Sequence, residues 1–282
     1  MFVTDKLIYL QMHKTACTHI ASLLSKHIGG KQIGKHNWLE NFDTKKLICG
    51  SIKNPWDWYV SLWAFGCIND GEVRGRVIVR DTQKFSELFK YKLRSKYSPY
   101  ISNNFQFGDM WSHLKNEIKK PTYLWIDTYK DSQSPENFRK WLKLMYNHSR
   151  NKDFFEGYSE SSISEFAGLM TYRYCYFFMK DFFQTKNFKG LKTLEELRKF
   201  DKTNNILDFT IKTESLENDF IQMLEKFGYD LDEETKNQIR GGGKTNVSKH
   251  SKASHYYDEE TINLVAEKEK LIIEKYNYKP PI

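Results

Sequence analysis

Hydrophobic and polar positions form two similar patterns near the start of the chain. Residues 7–11 and 46–52 are short apolar runs, and each is followed by a polar turn. Helical spacing of apolar residues follows both turns, at about 19–28 and 56–65. Short continuous apolar runs are typical of strands that are buried on both faces. The repeated order of strand, turn and helix therefore predicts an α/β fold with a parallel sheet flanked by helices.

The rest of the chain contains fewer predicted strands. We expect a strand at 206–213, then a helix, and finally one long amphipathic helix at 258–276. The apolar run at 123–129 is interpreted as a core strand. No repeat or linker is present in the pattern. The sequence therefore predicts a single domain over residues 1–282, in which about 66–200 form a largely helical insertion.

The composition narrows the choice of ligand and compartment. Aromatic residues make up 16% of the chain, which argues against disorder. The formal net charge of +8 favours an anionic ligand, and the scattered positive charges give no special indication of nucleic acid. Four cysteines fit neither a zinc site nor a disulfide framework, which indicates a reducing compartment. With no leader-like start and no apolar run of about 18 residues, we expect a cytoplasmic protein without a membrane span.

The turn after the first predicted strand has the composition of an anion site. Backbone N–H groups at the start of the following helix would point at a ligand. Lys14 adds a positive charge, and Thr15 and Thr18 add hydroxyl donors. The ATPase form of such a turn needs G-x-x-x-x-G-K-[ST], but Ile8 and His13 occupy its two glycine positions. An ordinary turn with a solvated lysine stays open as the simpler interpretation.

The second turn has a similar composition. Lys53 ends the second apolar run, and Asn54-Pro55 turns the chain into the next helix. Ser61 lies about two helical turns further on, so it and Lys53 are expected to converge on one phosphate. Two phosphate-type turns on neighbouring strands favour a ligand with two anionic ends. The alternative is a surface lysine and a serine that only packs.

Four stretches in this order resemble the sulfotransferases that use 3′-phosphoadenosine 5′-phosphosulfate (PAPS). MHKTACTHI resembles the 5′-phosphosulfate loop of that family, and ICGSIKNPWDWYVSLW resembles its 3′-phosphate motif. LDFTIKTESLENDF and residues 244–278 are similar to segments of carbohydrate-type and bacterial members. The middle of the chain, about 66–200, is unmatched. The resemblance implies a P-loop-like fold, PAPS as co-substrate, adenosine 3′,5′-bisphosphate as product, and no metal.

The resemblance also implies roles for individual residues. The residues implied to bind the nucleotide are Lys14, Thr15, Ala16, Cys17, Thr18, Lys53, Ser61, Lys244, Asn246 and Ser248. Among them, Lys14 would also contact the transferring sulfuryl group. Lys53 stands where the family usually has arginine, so the bidentate fork is lost. Ala16-Cys17 replaces the usual glycine pair, so a positive φ costs more there. Both departures predict altered geometry and weaker nucleotide binding.

Sulfuryl transfer needs a charge stabiliser and a base for the acceptor proton. Lys14 is the predicted stabiliser. His36 lies in a G-x-H stretch that resembles one in uronyl 2-O-sulfotransferases and bacterial relatives. A histidine with a pKa near 6.5 accepts a proton at neutral pH. We therefore predict His36 as the catalytic base, with His13, Glu40 and His113 as fallbacks. An ordinary loop histidine is the alternative.

Other functions and features stay open at this point. A P-loop-type kinase or NTPase is one alternative, and a non-catalytic anion- or glycan-binding module on the same fold is another. By family analogy the acceptor is a saccharide or another small hydroxyl compound, bound by the unmatched middle segment. The aromatic run at 172–183 is predicted to be a core helix, and Glu214 a structural acid at a strand end.

Overall fold

The five β-strands described in the computed structural model form one mixed sheet. The structure describes residues 1–39, 45–68, 71–80, 114–154, 157–243 and 250–281. The strands are β1 (Phe2–Val3), β2 (Leu7–Leu10), β3 (Lys31–Gln32), β4 (Leu47–Ile52) and β5 (Phe209–Lys212). Their order across the sheet is β3-β1-β2-β4-β5. β2, β4 and β5 are parallel, whereas β1 is antiparallel to both β2 and β3.

The central strands account for the pattern that predicted a parallel sheet. Every residue of β2 is buried, and so is all of β4 except its first residue. Burial on both faces gives the continuous apolar runs seen in the sequence. β1 and β3 have two residues each, which is too short for a periodic signal. The α/β class is therefore confirmed, and the all-parallel sheet is corrected to a mixed one.

Helices make up most of the remaining described chain. The α-helices are α1 (Cys17–His27), α2 (Pro55–Cys67), α3 (Glu72–Ile78), α4 (Thr122–Thr128), α5 (Pro135–Tyr146), α6 (Leu169–Phe178), α7 (Thr185–Phe188), α8 (Leu194–Asn204), α9 (Leu216–Lys226), α10 (Glu233–Gly241), α11 (Ala253–Tyr256), α12 (Glu259–Lys268) and α13 (Lys270–Tyr276). Short 3-10 helices occur at His148–Phe154, Ser162–Glu165 and Thr213–Ser215. Within the described ranges, no helix combines the length and the apolarity that a membrane crossing requires.

The chain divides into two compact units. The first comprises Met1–Asn54, Arg173–Lys180 and Asp201–Ser248, and it contains the whole sheet. The second comprises Pro55–Tyr172, Asp181–Phe200 and Lys249–Ile282. Its described residues form helices, turns and loops, without a β-strand. The predicted largely helical insertion falls mostly in this second unit.

In the first unit, helices pack on both faces of the sheet. Tyr9 of β2 lies in one buried cluster with Ile20 of α1 and Phe220 of α9, so these helices cover one face. Neighbouring residues of β4 point to opposite faces of the sheet. Cys49 belongs to the cluster with α1 and α9, so Gly50 points to the opposite face. A Cβ atom at Gly50 would lie 2.6 Å from Cε1 of Phe178. Glycine is therefore required there for the end of α6 to reach the sheet.

The second unit has an aromatic core. The ring centroid of Trp63 lies 5.4 Å from that of Phe138 and 5.5 Å from that of Tyr256, and both pairs meet edge to face. The indole N–H of Trp63 donates to the carbonyl of Thr128 at 2.9 Å, so this buried donor is satisfied. The high aromatic content of the sequence is thus explained in part by packing within this unit.

The predicted strand at 123–129 is wrong, because these residues form α4. Trp125 and Thr128 are buried, whereas Tyr123 and Ile126 are exposed. Burial at positions three apart is the period of a helix. Such a short apolar run does not distinguish a strand from a buried helix in the sequence.

The single helix predicted at 258–276 is two helices, α12 and α13, joined at Glu269. The backbone of Glu269 leaves helical geometry, with φ −107° and ψ 23°. Its buried carboxylate accepts hydrogen bonds from the backbone N–H groups of Met170 (3.3 Å) and Thr171 (2.8 Å). These contacts hold the carboxylate at the junction. They come from a distant part of the chain, so the amphipathic pattern gives no sign of the break.

Candidate functional site

Lys14 and Lys53 lie at the same edge of the sheet in the first unit. Lys14 follows β2 after a short turn, and Lys53 directly follows β4. β2 and β4 are parallel neighbours, with Leu10 opposite Gly50. Ligands of α/β sheets bind outside the carboxyl ends of the strands. The two cationic turns are therefore brought to the edge at which a ligand is expected.

A chain of buried hydroxyl groups links the first turn to β4. Thr15 Oγ1 lies 2.8 Å from the carbonyl oxygen of Met12 and 2.7 Å from Ser51 Oγ, which in turn lies 2.7 Å from the hydroxyl of Tyr9. A carbonyl only accepts, so Thr15 donates to Met12, Ser51 donates to Thr15, and Tyr9 donates to Ser51. The Thr15 side chain is thus occupied beneath the turn. A phosphate contact from Thr15 would come from its backbone N–H.

Three of the predicted site residues have a left-handed backbone. The φ angle is 62° at Lys14, 58° at Ala16 and 57° at His36. Elsewhere in the described chain only Asp181 and Asn277 combine a side chain with a positive φ. Such a conformation costs about 1–3 kcal/mol per residue and recurs at ligand sites. The strain expected at Ala16 from the missing glycine is therefore present.

The N-terminus of α1 presents positive charge to this edge. Its N-cap residue, Ala16, makes no side-chain hydrogen bond, and no acidic residue lies in the first turn. The first backbone N–H groups of a helix lack intrahelical acceptors and carry partial positive charge. Lys35 Nζ donates to Thr18 Oγ1 at 3.0 Å, which adds a full charge beside them. An anion is favoured at such a helix start.

His36 is held beside the first turn in one tautomer. Its Nδ1 lies 2.8 Å from the carbonyl oxygen of Gln11. The carbonyl only accepts, so Nδ1 carries the proton and Nε2 is left as an acceptor. The His36 ring stacks on that of His13, with centroids 3.7 Å apart and planes 13° from parallel. The predicted base and one of its fallbacks thus form a single stacked pair.

The surroundings of His36 disfavour its charged form. Burial lowers the pKa of His36 to about 3, and repulsion from His13, Lys35 and Arg173 acts in the same direction. The hydrogen bond to Gln11 works against this lowering. His36 is therefore neutral at physiological pH. It is able to accept a proton, but as a weaker base than an unperturbed histidine.

Arg173 is a functional candidate that the sequence interpretation missed. It lies in α6 and is 1% exposed. Phe177, four residues later, places its ring 5.7 Å from that of His13. Residues four apart share one face of a helix, so Arg173 lies on the face that meets the histidine pair. The signal was an arginine near the start of an aromatic run that was predicted to be buried, since arginine is rarely fully buried unless it is paired.

Glu214 accepts a hydrogen bond from the backbone of the second turn. The backbone N–H of Asn54 donates to Glu214 Oε1 at 2.7 Å. Glu214 lies two residues after the end of β5, which is the neighbour of β4. The prediction of a structural acid at a strand end is confirmed. Lys53, next to Asn54, is half-buried at this corner.

Ser61 is placed by α2 within the second unit. Its side chain is 3% exposed, and its Oγ lies 3.5 Å from Nε2 of His250. Nδ1 of His250 lies 2.8 Å from the carbonyl of Ser251, so Nδ1 is the donor and Nε2 accepts from Ser61. The chain just after Lys244, Asn246 and Ser248, which the resemblance implies to bind the nucleotide, thus approaches Ser61. The predicted residues that lie outside the described chain are Lys244, Asn246, Ser248, Glu40 and His113.

The cysteines are free thiols, as their spacing indicated. Burial raises the pKa of Cys17, and its side chain belongs to the core of the first unit, so it packs rather than reacts. In the described part of the chain, no group of three or more His, Cys, Asp and Glu side chains is arranged to hold a metal ion.

The candidate site is defined by a small set of side chains in the first unit. They include two lysines, a stacked histidine pair and a buried arginine, all in the first unit. Comparisons of the chain with known protein families, with curated proteins and with solved structures find no match.

Proposed function

We propose that this protein transfers a sulfuryl group from PAPS to a hydroxyl or amine acceptor. The observation that carries the proposal is the position of Lys14 and Lys53, which follow two neighbouring parallel strands. PAPS has a phosphosulfate at one end and a 3′-phosphate at the other. Two cationic turns at one sheet edge match a ligand with two anionic ends.

The first turn suits the phosphosulfate end of PAPS. It offers the backbone N–H groups of α1 and the charges of Lys14 and Lys35, and the first turn of α1 contains no acidic residue. This donor set fits an anion. The strained backbone at Lys14 and Ala16 supports a ligand role for the turn. The proposal includes a P-loop-like function for this turn, although its residues depart from the glycine-rich motif.

The chemistry requires one bond to form as another breaks. The acceptor oxygen or nitrogen attacks sulfur, and the bond between sulfur and the bridging 5′-phosphate oxygen breaks. Lys14 offsets the charge that develops on the leaving adenosine 3′,5′-bisphosphate. Nε2 of His36 takes the proton of the acceptor, since Nδ1 is engaged by Gln11. Positioning and charge stabilisation carry most of the rate, as in phosphoryl transfer.

The acceptor and compartment are part of the proposal. A saccharide or small hydroxyl compound is the acceptor favoured by the resemblance to carbohydrate-type sulfotransferases. Four free cysteines fit a reducing compartment, and we propose the cytoplasm.

Calorimetric titration with adenosine 3′,5′-bisphosphate tests the nucleotide site. We expect the wild-type protein to bind the bisphosphate without Mg²⁺, and Lys14→Ala and Lys53→Ala to weaken binding about 10–100-fold each, the value of one charge-assisted contact. Lys26→Ala is the matched control, because Lys26 is an exposed lysine in the last turn of α1. It should leave the affinity unchanged.

A second measurement separates the competing functions. Release of adenosine 3′,5′-bisphosphate from PAPS is followed with a panel of saccharide and small hydroxyl acceptors. Acceptor-dependent release supports the transferase. Binding of the bisphosphate without release by any acceptor indicates a non-catalytic module. Tight binding of ATP·Mg²⁺ with no binding of the bisphosphate indicates a kinase or NTPase and overturns the proposal.

A further inference from the structure

We propose that His13 and Arg173 are positioning residues for His36, and that His36 becomes an effective base only when an anionic nucleotide occupies the first turn. The inference rests on the proposed function and adds a control of its base by the co-substrate. The acceptor proton would then be removed efficiently only when the sulfuryl donor is already bound.

The geometry places His36 under the influence of three separate parts of the first unit. The loop after β3 fixes its Nδ1 on the carbonyl of Gln11 at 2.8 Å. The first turn stacks His13 on its ring at 3.7 Å between centroids. α6 brings Phe177 to 5.7 Å from His13 and carries Arg173 on the same face. The ring of His36 is therefore fixed, with Nε2 as its available acceptor.

The charges around His36 all act in one direction. His13 stacks on the His36 ring, and repulsion from His13, Lys35 and Arg173 opposes a positive charge on His36. The Gln11 carbonyl is the single opposing contact. Two stacked imidazoles at this distance do not both become charged, so protonation of the pair is coupled.

An anionic nucleotide at the first turn would reverse this balance. Its phosphate charge lies beside the turn that carries His13 and Lys14, and opposite charge stabilises a protonated imidazole. The proton affinity of His36 then rises toward the range in which a general base is most effective. Below neutral pH, the same effect makes the protein take up a proton as the nucleotide binds.

Proton uptake is measured by calorimetric titration of adenosine 3′,5′-bisphosphate in two buffers of different ionisation enthalpy. At about pH 6, we expect the wild-type protein to take up about 0.5–1 proton more than His36→Asn. The subtraction removes the ionisation of the nucleotide itself. At about pH 8 the difference should approach zero, because His36 stays neutral in both states. His148→Asn, a change at an exposed histidine of the second unit, should match the wild type.

The roles of His13 and Arg173 are tested in the free protein by an NMR titration of the His36 ring. His13→Phe keeps a ring in the stack but cannot carry a charge, and Arg173→Gln removes the charge from α6. Both should raise the titration midpoint of His36, whereas Arg173→Lys should leave it low because the charge is kept. If Arg173→Gln fails to fold, His13→Phe decides.

The outcomes distinguish this inference from the function on which it rests. If no variant or condition yields bisphosphate binding, the proposed function fails. If the bisphosphate binds and the proton uptake equals that of His36→Asn at about pH 6, the inference fails and the function stands. An unchanged His36 titration midpoint in both His13→Phe and Arg173→Gln also overturns it.

Discussion

Glu269 in the second unit and His36 in the first are both ionisable groups withdrawn from water, but their partners differ. The Glu269 side chain is fully buried, and its oxygens accept from the hydroxyl of Tyr59, the N–H groups of Met170 and Thr171, and the hydroxyl of Thr171. His36 is half-buried and has one side-chain hydrogen bond, to Gln11. One group is saturated with donors, and the other keeps an acceptor atom.

The difference in hydrogen-bond partners indicates different roles for Glu269 and His36. Burial raises the pKa of Glu269 to about 7, although its hydrogen bonds oppose the rise. Burial and neighbouring positive charge lower the pKa of His36 to about 3. A saturated group stabilises the packing of the segments that donate to it. A perturbed group with an acceptor left over, in a cationic surrounding, is suited to a ligand or a reaction.

Removing the Glu269 carboxylate should have the largest effect. Glu269→Ala leaves several buried donors without a partner, and we expect a loss of about 3 kcal/mol in the free energy of unfolding. His36→Ala should cost less, about 1–2 kcal/mol, because it leaves one acceptor, the Gln11 carbonyl, without its donor and removes one ring from the stack with His13. Urea denaturation of both variants measures the contrast. Equal losses would show that the two groups serve the same purpose.

The two groups should also give stability opposite slopes with pH. The folded pKa of Glu269, about 7, lies above its ordinary 4.5, so its contribution is complete below about pH 4.5 and is lost as the pH rises through 7. The folded pKa of His36, about 3, lies below its ordinary 6.5, so its contribution is present above about pH 6.5 and is lost as the pH falls. The Glu269 slope is on the order of 1 kcal/mol per pH unit.

Unfolding free energies measured from about pH 5 to pH 7 separate the two contributions. Glu269→Gln should remove the falling component and leave stability rising with pH relative to the wild type. His36→Asn should do the reverse. A variant whose difference from the wild type is constant over this range would show that its group has no altered pKa in the folded state.

The first unit also contains a buried network in which each hydroxyl has a hydrogen-bond partner, from Tyr9 through Ser51 to Thr15. Breaking this network tests whether such groups stabilise the first unit as Glu269 stabilises the second. Ser51→Ala interrupts the chain from Tyr9 to Thr15 and leaves the buried Tyr9 hydroxyl without its acceptor. We expect a cost of about 1–3 kcal/mol. Adding Tyr9→Phe removes the stranded donor, so the double variant should be less destabilised than the two single effects combined. Strict additivity in thermal unfolding would show that the Tyr9 and Ser51 hydroxyls are not coupled.

Much of the first unit was predictable because its signals are local. The runs that form β2 and β4 are buried on both faces, and α1, which follows β2, has regular apolar spacing. β1 and β3 are too short to carry a pattern, so the mixed sheet was missed. α4 was mistaken for a strand because a run of few apolar residues fits either element. The break at Glu269 depends on donors almost 100 residues earlier in the chain.

The candidate site was predictable only where charge and turn coincide in sequence. Lys14 and Lys53 were found because each follows an apolar run. The stack of His13 on His36 and the contact of Phe177 with His13 depend on tertiary packing, which residue spacing does not encode. Thr15 was predicted to donate its hydroxyl to a phosphate. In the structure that hydroxyl is hydrogen-bonded to Met12 and Ser51, and no feature of the sequence indicated the contact with Ser51.

Strain at Ala16 gives the smallest expected effect and bears on the same contrast. Ala16 has φ 58° at the N-cap of α1, where glycine would adopt the conformation without a Cβ penalty. Ala16→Gly should therefore stabilise the protein by about 0.5–1 kcal/mol, after allowing for the greater freedom of glycine in the unfolded chain. Ala21→Gly, in the middle of the same helix, should instead destabilise it by about 1 kcal/mol. Opposite signs in thermal unfolding would locate stored strain at the first turn. If Ala16→Gly destabilises the protein as much as Ala21→Gly, the backbone at Ala16 is unstrained. Backbone strain would then no longer distinguish the first turn from the junction at Glu269.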